Sequence, residues 1–287
     1  MMKLPPTLVS WLQVTPLTLV LLVFFGIPLL AVIVVSFFDF DQFDIVPGFY
    51  WINYLDLLQS KVSYQLYWNT IKFAVIVWAI TLVLGFTISW FLAFHVRTLF
   101  WQIALFLLCT VPFWTSNIIR MISWIPFLGL NGIFNQVLIQ AGVTQEPLSF
   151  LLFSDFAVIV AYVHLFTLFM IVPIFNSMAR IDRALIEAAI DAGASRWQVL
   201  RDVVIPLSKT GIALGSIFVI TLVMGDFYVV KVMSGGQSAS VVQAMSNEIA
   251  LLQYPPAAAS AVVLLIIVSL MVAAILRIVD VRKELSG

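Results

Sequence analysis

The amino-acid sequence predicts an all-α integral membrane protein with six transmembrane helices, on three observations. Hydrophobic residues make up 63% of the 287 residues and charged residues only 10%, against roughly 45–50% and 25% in soluble domains. Apolar runs of about 20 residues recur along the whole length, the length a helix needs at ~1.5 Å per residue to cross a hydrocarbon core of ~30 Å. No internal repeat, low-complexity linker or soluble boundary separates these runs, so residues 1–287 are expected to form a single transmembrane domain.

The first run, 17–38, is too long for a signal-peptide core and has no small-x-small cleavage site, so it reads as a retained span. Further runs cover 68–94, 100–119, 156–178, 211–232 and 257–279. Basic residues orient them. With the N-terminus inside, Lys3, Arg97, Arg180, Arg183, Arg196, Arg201, Lys209, Arg277, Arg282 and Lys283 fall on the cytoplasmic side. Lys61, Lys72, Arg120 and Lys231 stay outside, two of them at span edges. Both termini are then cytoplasmic. Of the outer segments, 39–67 carries Asp39, Asp41, Asp44 and Asp56, while 121–155 contains Gly129, Gly132, Gly142 and Pro147. The second suggests short interfacial or partly re-entrant helices. Either segment can cap the bundle or meet a soluble partner.

Several function classes are excluded by composition. Formal net charge is zero, so no global field points to nucleic acid. Cys109 is the only cysteine and the two histidines are far apart, which removes internal disulfides, cysteine zinc sites and a histidine metal cluster. No Gly-x-x-x-x-Gly-Lys loop occurs, so the chain itself binds no ATP through a P-loop.

Residues 180–209 form a loop dense in both signs of charge between two apolar runs. Asp182 is a good helix N-cap, and Gly193 stands where that helix would end, because glycine adopts the left-handed conformation cheaply. Ser195 can cap a second short helix, which Pro206 is expected to terminate. Glu187-Ala188-Ala189, then Gly193, then Val203, Ile205 and Pro206 resemble the EAA signature of the membrane subunits of binding-protein-dependent ATP-binding cassette importers. Val and Ile stand where that pattern usually has Ile and Leu. The resemblance implies a type I importer permease (MetI-like) with a cytoplasmic coupling helix docked on an ATPase subunit dimer, where ATP and Mg would bind. It further implies a second homologous permease, forming a heterodimer, and an extracytoplasmic solute-binding protein, in a bacterial inner membrane. Small Ala188, Ala189 and Gly193 permit close approach, and Glu187, Arg183 and Arg196 can fix orientation by charge pairing.

Asp226 is the informative position outside that loop. A charge well inside a span costs ~2.5–3.5 kcal/mol on insertion scales, so it should face the bundle interior, a cavity or a partner. At ~100° per residue, Gly211, Gly215, Leu222 and Asp226 fall within roughly 80° of one another, and Gly211-x-x-x-Gly215 turns that stripe toward another helix. With Phe227 and Tyr228 beside it, the carboxylate can hold an ammonium by charge and by ring faces. It can equally pair with Lys231 or Arg120, or accept hydrogen bonds from a neighbouring helix. Pro112 should kink the third span, leaving Trp114, Thr115, Ser116 and Asn117 as an interface belt or part of a pore mouth. His164 lies mid-span and can bind solute or a neighbouring helix.

The stretch Val111-Pro112-Phe113-Trp114-Thr115, with Gly225-Asp226-Phe227-Tyr228-Val229-Val230 and Met233-Ser234-Gly235-Gly236, looks like the putrescine and spermidine importer permeases. That likeness implies a polyamine as the translocated solute, with another small organic solute or metal chelate as the alternative in the same class. An intramembrane enzyme would need a nucleophile and base or a metal set, and only His164 and Asp226 offer themselves. A secondary transporter or channel would work without an ATPase.

Overall fold

The computed structural model describes residues 6–41, 44–96 and 98–278. Lys3, Arg97, Arg282 and Lys283, which contribute to the expected charge bias, lie outside the described residues, as does the last residue of the expected 257–279 run. In chain order the helices are α1 (Pro6–Leu21), α2 (Ile27–Val35), α3 (Ile52–Gln59), α4 (Lys61–Trp90), α5 (Leu99–Thr110), α6 (Asn117–Ile122), α7 (Trp124–Leu128) and α8 (Ile133–Gln140). They continue with α9 (Asp155–Met178), α10 (Arg183–Asp191), α11 (Arg196–Gln198), α12 (Ile205–Gly225), α13 (Tyr228–Met233), α14 (Val241–Ala250) and α15 (Tyr254–Ile278). One antiparallel pair, β1 (Asp39–Asp41) and β2 (Asp44–Val46), interrupts the helical chain, in register Asp39 to Val46 and Phe40 to Ile45.

Six stretches are long and apolar enough to cross a membrane: Trp11–Val35, Lys61–His95, Asn117–Gln140, Asp155–Met178, Arg196–Gly225 and Tyr254–Arg277. The third differs from the expected 100–119. There the helix ends at Thr110, a tight turn holds Val111–Trp114, and Thr115 and Ser116 are extended before α6 begins. Pro112 withdraws a backbone donor, and the Thr-Ser-Asn run offers competing hydrogen bonds, so the helix stops. Asn117–Gln140 qualifies by length and composition, but it consists of three short helices broken around Gly129 and Gly132, as the glycines of 121–155 suggested.

The chain divides into two compact units. One comprises residues 1–64 and 244–266. Its α1 and α2 are joined through a π turn at Leu22–Gly26, and Trp11–Val35 buries nothing, as expected of a helix facing lipid. Below α2 the β-hairpin is held by Asn53, whose Nδ2 donates to the Ser36 and Phe38 carbonyls at 3.0 and 2.8 Å. The rings of Phe37, Phe49, Trp51 and Tyr54 pack around it.

The other unit, residues 65–243 and 267–287, is built on α9 packed along α12. Gly211 and Gly215 make that approach possible. A Cβ on Gly211 would lie 2.4 Å from the Pro173 carbonyl oxygen, and one on Gly215 would lie 2.7 Å from Met170 Sδ. On α4, a Cβ added to Gly85 would likewise fall 2.6 Å from Met170 Cγ. The small-residue stripe therefore faces a helix, as the spacing predicts. Trp78 Nε1 donates to Ser216 Oγ at 2.8 Å and Ser89 Oγ to the Ile171 carbonyl at 3.1 Å, adding hydrogen bonds where lipid offers none.

Candidate functional site

The loop between α9 and α12 follows local rules closely. Asp182 Oδ1 accepts the Ala184 N–H at 2.9 Å, capping α10. At the other end Gly193, at φ +89°, sends its N–H to Ile190 and the next N–H, of Ala194, reaches Ala189 at 3.0 Å. That pair of bonds is a Schellman closure, which requires a left-handed residue at this position. Ser195 and Gln198 then form a reciprocal capping box, with the Ser195 N–H donating to Gln198 Oε1 at 2.7 Å.

Pro206 does not end the second helix. Helix continues from Arg196 through a π turn at Val199–Val204 into α12, and Pro206 occupies its first turn. The π turn explains why: Ile205 N–H bonds back to Leu200, five residues earlier, so the ladder is already wide where the proline donor is missing. Val199 and Val204 are buried and anchor the loop. Its outer surface is exposed: Glu187, Ala188, Gly193 and Arg196 face solvent, with Ala189 half-buried. Arg183 reaches back, its Nη2 donating to the Ala93 carbonyl at 3.4 Å. Sequence reasoning missed the apolar tip beside these charges, where Leu185, Ile190 and Trp197 are exposed, Trp197 by 66%. An exposed tryptophan in a charged loop was the available signal.

Asp226 does not lie within a continuous helix as the 211–232 run implied. α12 stops at Gly225, and Asp226 is extended at φ −93° and ψ 133°. Aspartate competes poorly inside a helix and well at its start. Here its Oδ1 accepts the Val229 N–H at 2.9 Å, capping α13, and the Tyr162 hydroxyl at 3.2 Å. Of the alternatives open to this carboxylate, hydrogen bonding to a neighbouring helix is realised. No ion pair to Lys231 or Arg120 occurs among the described residues, where the pairs are Lys72–Asp155 and Arg201–Asp202.

The break opens a cavity of 240 Å³ lined by Asn117, Ile118 and Met121 of α6, Leu165 and Phe166 of α9, and Asp226, Phe227, Tyr228 and Val229. Asn117, Asp226, Phe227 and Tyr228, chosen on chemistry alone, thus meet at one site. Trp114 does not join them and is 85% exposed on its turn. His164 is also outside the lining, its Nδ1 accepting from Trp124 Nε1 at 2.9 Å. Tyr162 was not foreseen, and Arg120, considered as a partner of Asp226, bonds to Asn117 instead. Tyr162 is fully buried and holds Asp226 in place. Arg120, only 7% exposed, donates through Nη2 to Asn117 Oδ1 while its Nε has no partner. A second, wider groove of 920 Å³ lies toward the other end of the α9–α12 pair, lined by Pro173, Asn176, Arg180, Asp182, Leu207 and Phe218 among others. Among the described residues no group of histidine, cysteine or carboxylate side chains is placed to hold a metal.

The lining thus combines one carboxylate, anchored at a helix break, with aromatic and aliphatic side chains. Comparison with known proteins bears on the chain as a whole. No protein-family model matches the chain. Two solved structures of a bacterial alginate ABC transporter contain a similar fold. One gives a TM-score of 0.73 at 17% identity, covering 93% of this chain and 92% of that one. The other gives 0.74 at 16%, covering 94% of each. The inner membrane ABC transporter permease protein YdcU of Escherichia coli K12 is 29% identical over 72% of this chain and 69% of its own. The spermidine/putrescine transport system permease protein PotB of Haemophilus influenzae Rd is 32% identical over 80% of each chain. PotB of Escherichia coli K12 is 34% identical over 235 residues, 81% of this chain and 80% of its own, and on that likeness the chain belongs to the family of PotB spermidine/putrescine transport system permeases.

Proposed function

We propose that this chain is the polyamine-translocating membrane subunit of an ATP-driven importer, passing putrescine or spermidine by way of the Asp226 cavity. The observation that carries the reading is the broken helix, which sets one carboxylate, Phe227 and Tyr228 around a 240 Å³ space walled by Ile118, Met121, Leu165 and Phe166. An ammonium would meet the Asp226 carboxylate and an aromatic face, an attraction of about 0.5–2 kcal/mol beyond the charge pairing. The methylene chain would lie along the aliphatic wall. The likeness to proteins named for spermidine and putrescine supports the same substrate class.

The rest of the machine is supplied by partners. The exposed knob at 182–206 would dock on an ATPase subunit dimer, which binds ATP and Mg, with Glu187, Arg183 and Arg196 setting its orientation and Trp197 adding apolar area. A second permease would complete the path as a heterodimer, and an extracytoplasmic binding protein would deliver solute. This places the knob and both termini in the cytoplasm of a bacterium and the Asp226 cavity toward the outer face of its inner membrane. Closure and reopening of the ATPase would then turn the cavity outward and inward in alternation.

The test is ATP-driven uptake by the whole importer in vesicles, offered putrescine, spermidine, amino acids and metal chelates. Uptake of the two amines alone, reduced at least tenfold by Asp226→Asn with assembly intact, is the expected result. Equal uptake by wild type and Asp226→Asn removes the carboxylate from the path.

A further inference from the structure

The short helix α13 begins at the cavity, with Phe227 just before it and Tyr228 as its first residue, and its end is fixed by a second cluster. Lys72 Nζ of α4 meets Asp155 Oδ2, the first residue of α9, at 2.6 Å. The Ser238 hydroxyl donates to the other oxygen, Oδ1. Ser238 belongs to the turn that follows α13, where Gly235 and Gly236 take φ of +59° and +83°. Ser234, which caps α13, donates from Oγ to the Ser238 carbonyl at 2.9 Å and accepts the Gly236 N–H at 3.2 Å. Two further bonds run to α4: Val241 N–H to Thr70 Oγ1 at 3.0 Å, and Asn69 Nδ2 to the Ala239 carbonyl at 3.4 Å. The turn rests on Phe153, because a Cβ on Gly235 would lie 2.6 Å from that side chain. Phe153 is itself left-handed at φ +55° just ahead of Asp155, a conformation costing a bulky residue about 1–2 kcal/mol.

α13 is therefore hung between two carboxylates, Asp226 at its start and Asp155 beyond its end. Six helical residues span only ~9 Å, so the element is short enough to move as one piece. From this placement we infer that Asp155, with Lys72 and Ser238, is a positioning residue for solute translocation, holding Phe227 and Tyr228 against the cavity without touching the solute. The inference rests on the Asp226 cavity being the path. Lys72 and Asp155 are each partly exposed, at 30% and 41% of their side chains, so the pair is weak enough to be lost without unfolding the chain.

The experiment compares solute carried per ATP hydrolysed by the whole importer in vesicles, using putrescine and spermidine as probes. Asp155→Asn and Lys72→Met should each lower that ratio about threefold to tenfold, the double variant no further, and Asp155→Glu should recover most of it. In an Asp226→Asn background, Asp155→Asn should add little, because both act on one cavity. A purely structural role would instead lower uptake and ATP hydrolysis together, in proportion to the complex recovered, and that outcome overturns the inference. So does a wild-type ratio in Asp155→Asn while Asp226→Asn is impaired. If Asp226→Asn is itself silent, the site reading fails first, whatever Asp155→Asn does.

Discussion

Asp226 caps α13 and lines the cavity, and Tyr162 is the residue that holds both arrangements together. Its hydroxyl reaches Asp226 Oδ1 at 3.2 Å from full burial. Tyr162→Phe removes one hydrogen bond to a carboxylate, worth about 1.5–3 kcal/mol, and uptake per assembled complex should fall severalfold. Unchanged uptake would show that the Val229 bond suffices. A second residue-scale expectation concerns Glu248 on α14, half-buried with its Oε2 unpartnered. Burial raises its carboxyl above the ordinary glutamate value. The folded chain then binds this proton more tightly than the unfolded one, so stability is greatest at low pH and falls as pH rises from the ordinary glutamate value through the raised one. Glu248→Gln should abolish that fall, read as melting temperature in detergent between about pH 4 and about pH 7. The same slope in variant and wild type contradicts it.

The knob and the helix break show which parts of an element are legible in sequence. Asp182, Gly193 and Ser195 act through bonds spanning no more than five residues, so their residue types sufficed to place α10, its end and the next start. Pro206 was misread because its effect depends on the π turn before it, which nothing in the residue types announces. Between 211 and 232 the apolar run is interrupted by charge only at Asp226 and Lys231, and the stop at Gly225 is marked by the Gly-Asp pair alone. The Lys72–Asp155 pair joins residues 83 apart in sequence, and no local pattern reports such a pairing. Gly193→Val should cost about 1–2 kcal/mol through its left-handed backbone, and the loss should appear as release of the ATPase subunit from an inserted permease. Co-purification at wild-type yield with unchanged uptake would refute the coupling role of the turn.

At the scale of the molecule, the α9–α12 pair is the frame on which both candidate regions sit. The 240 Å³ cavity and the 920 Å³ groove lie toward opposite ends of it, and the knob joins the two helices beside the groove. The knob is continuous with both helices: α9 carries Leu165 and Phe166, and α12 ends one residue before Asp226. Gly211→Leu should separate them, since even a Cβ would fall 2.4 Å from the Pro173 carbonyl oxygen. Overpacking of this kind costs about 1–3 kcal/mol, seen as reduced yield of assembled complex. The most direct measurement is polyamine uptake and ATP hydrolysis recorded in the same vesicles for wild type and Asp226→Asn. The account predicts that the variant keeps its binding-protein-stimulated ATP hydrolysis and loses most of its uptake. Full uptake by the variant, or wild-type uptake with the ATPase subunit absent, would contradict it.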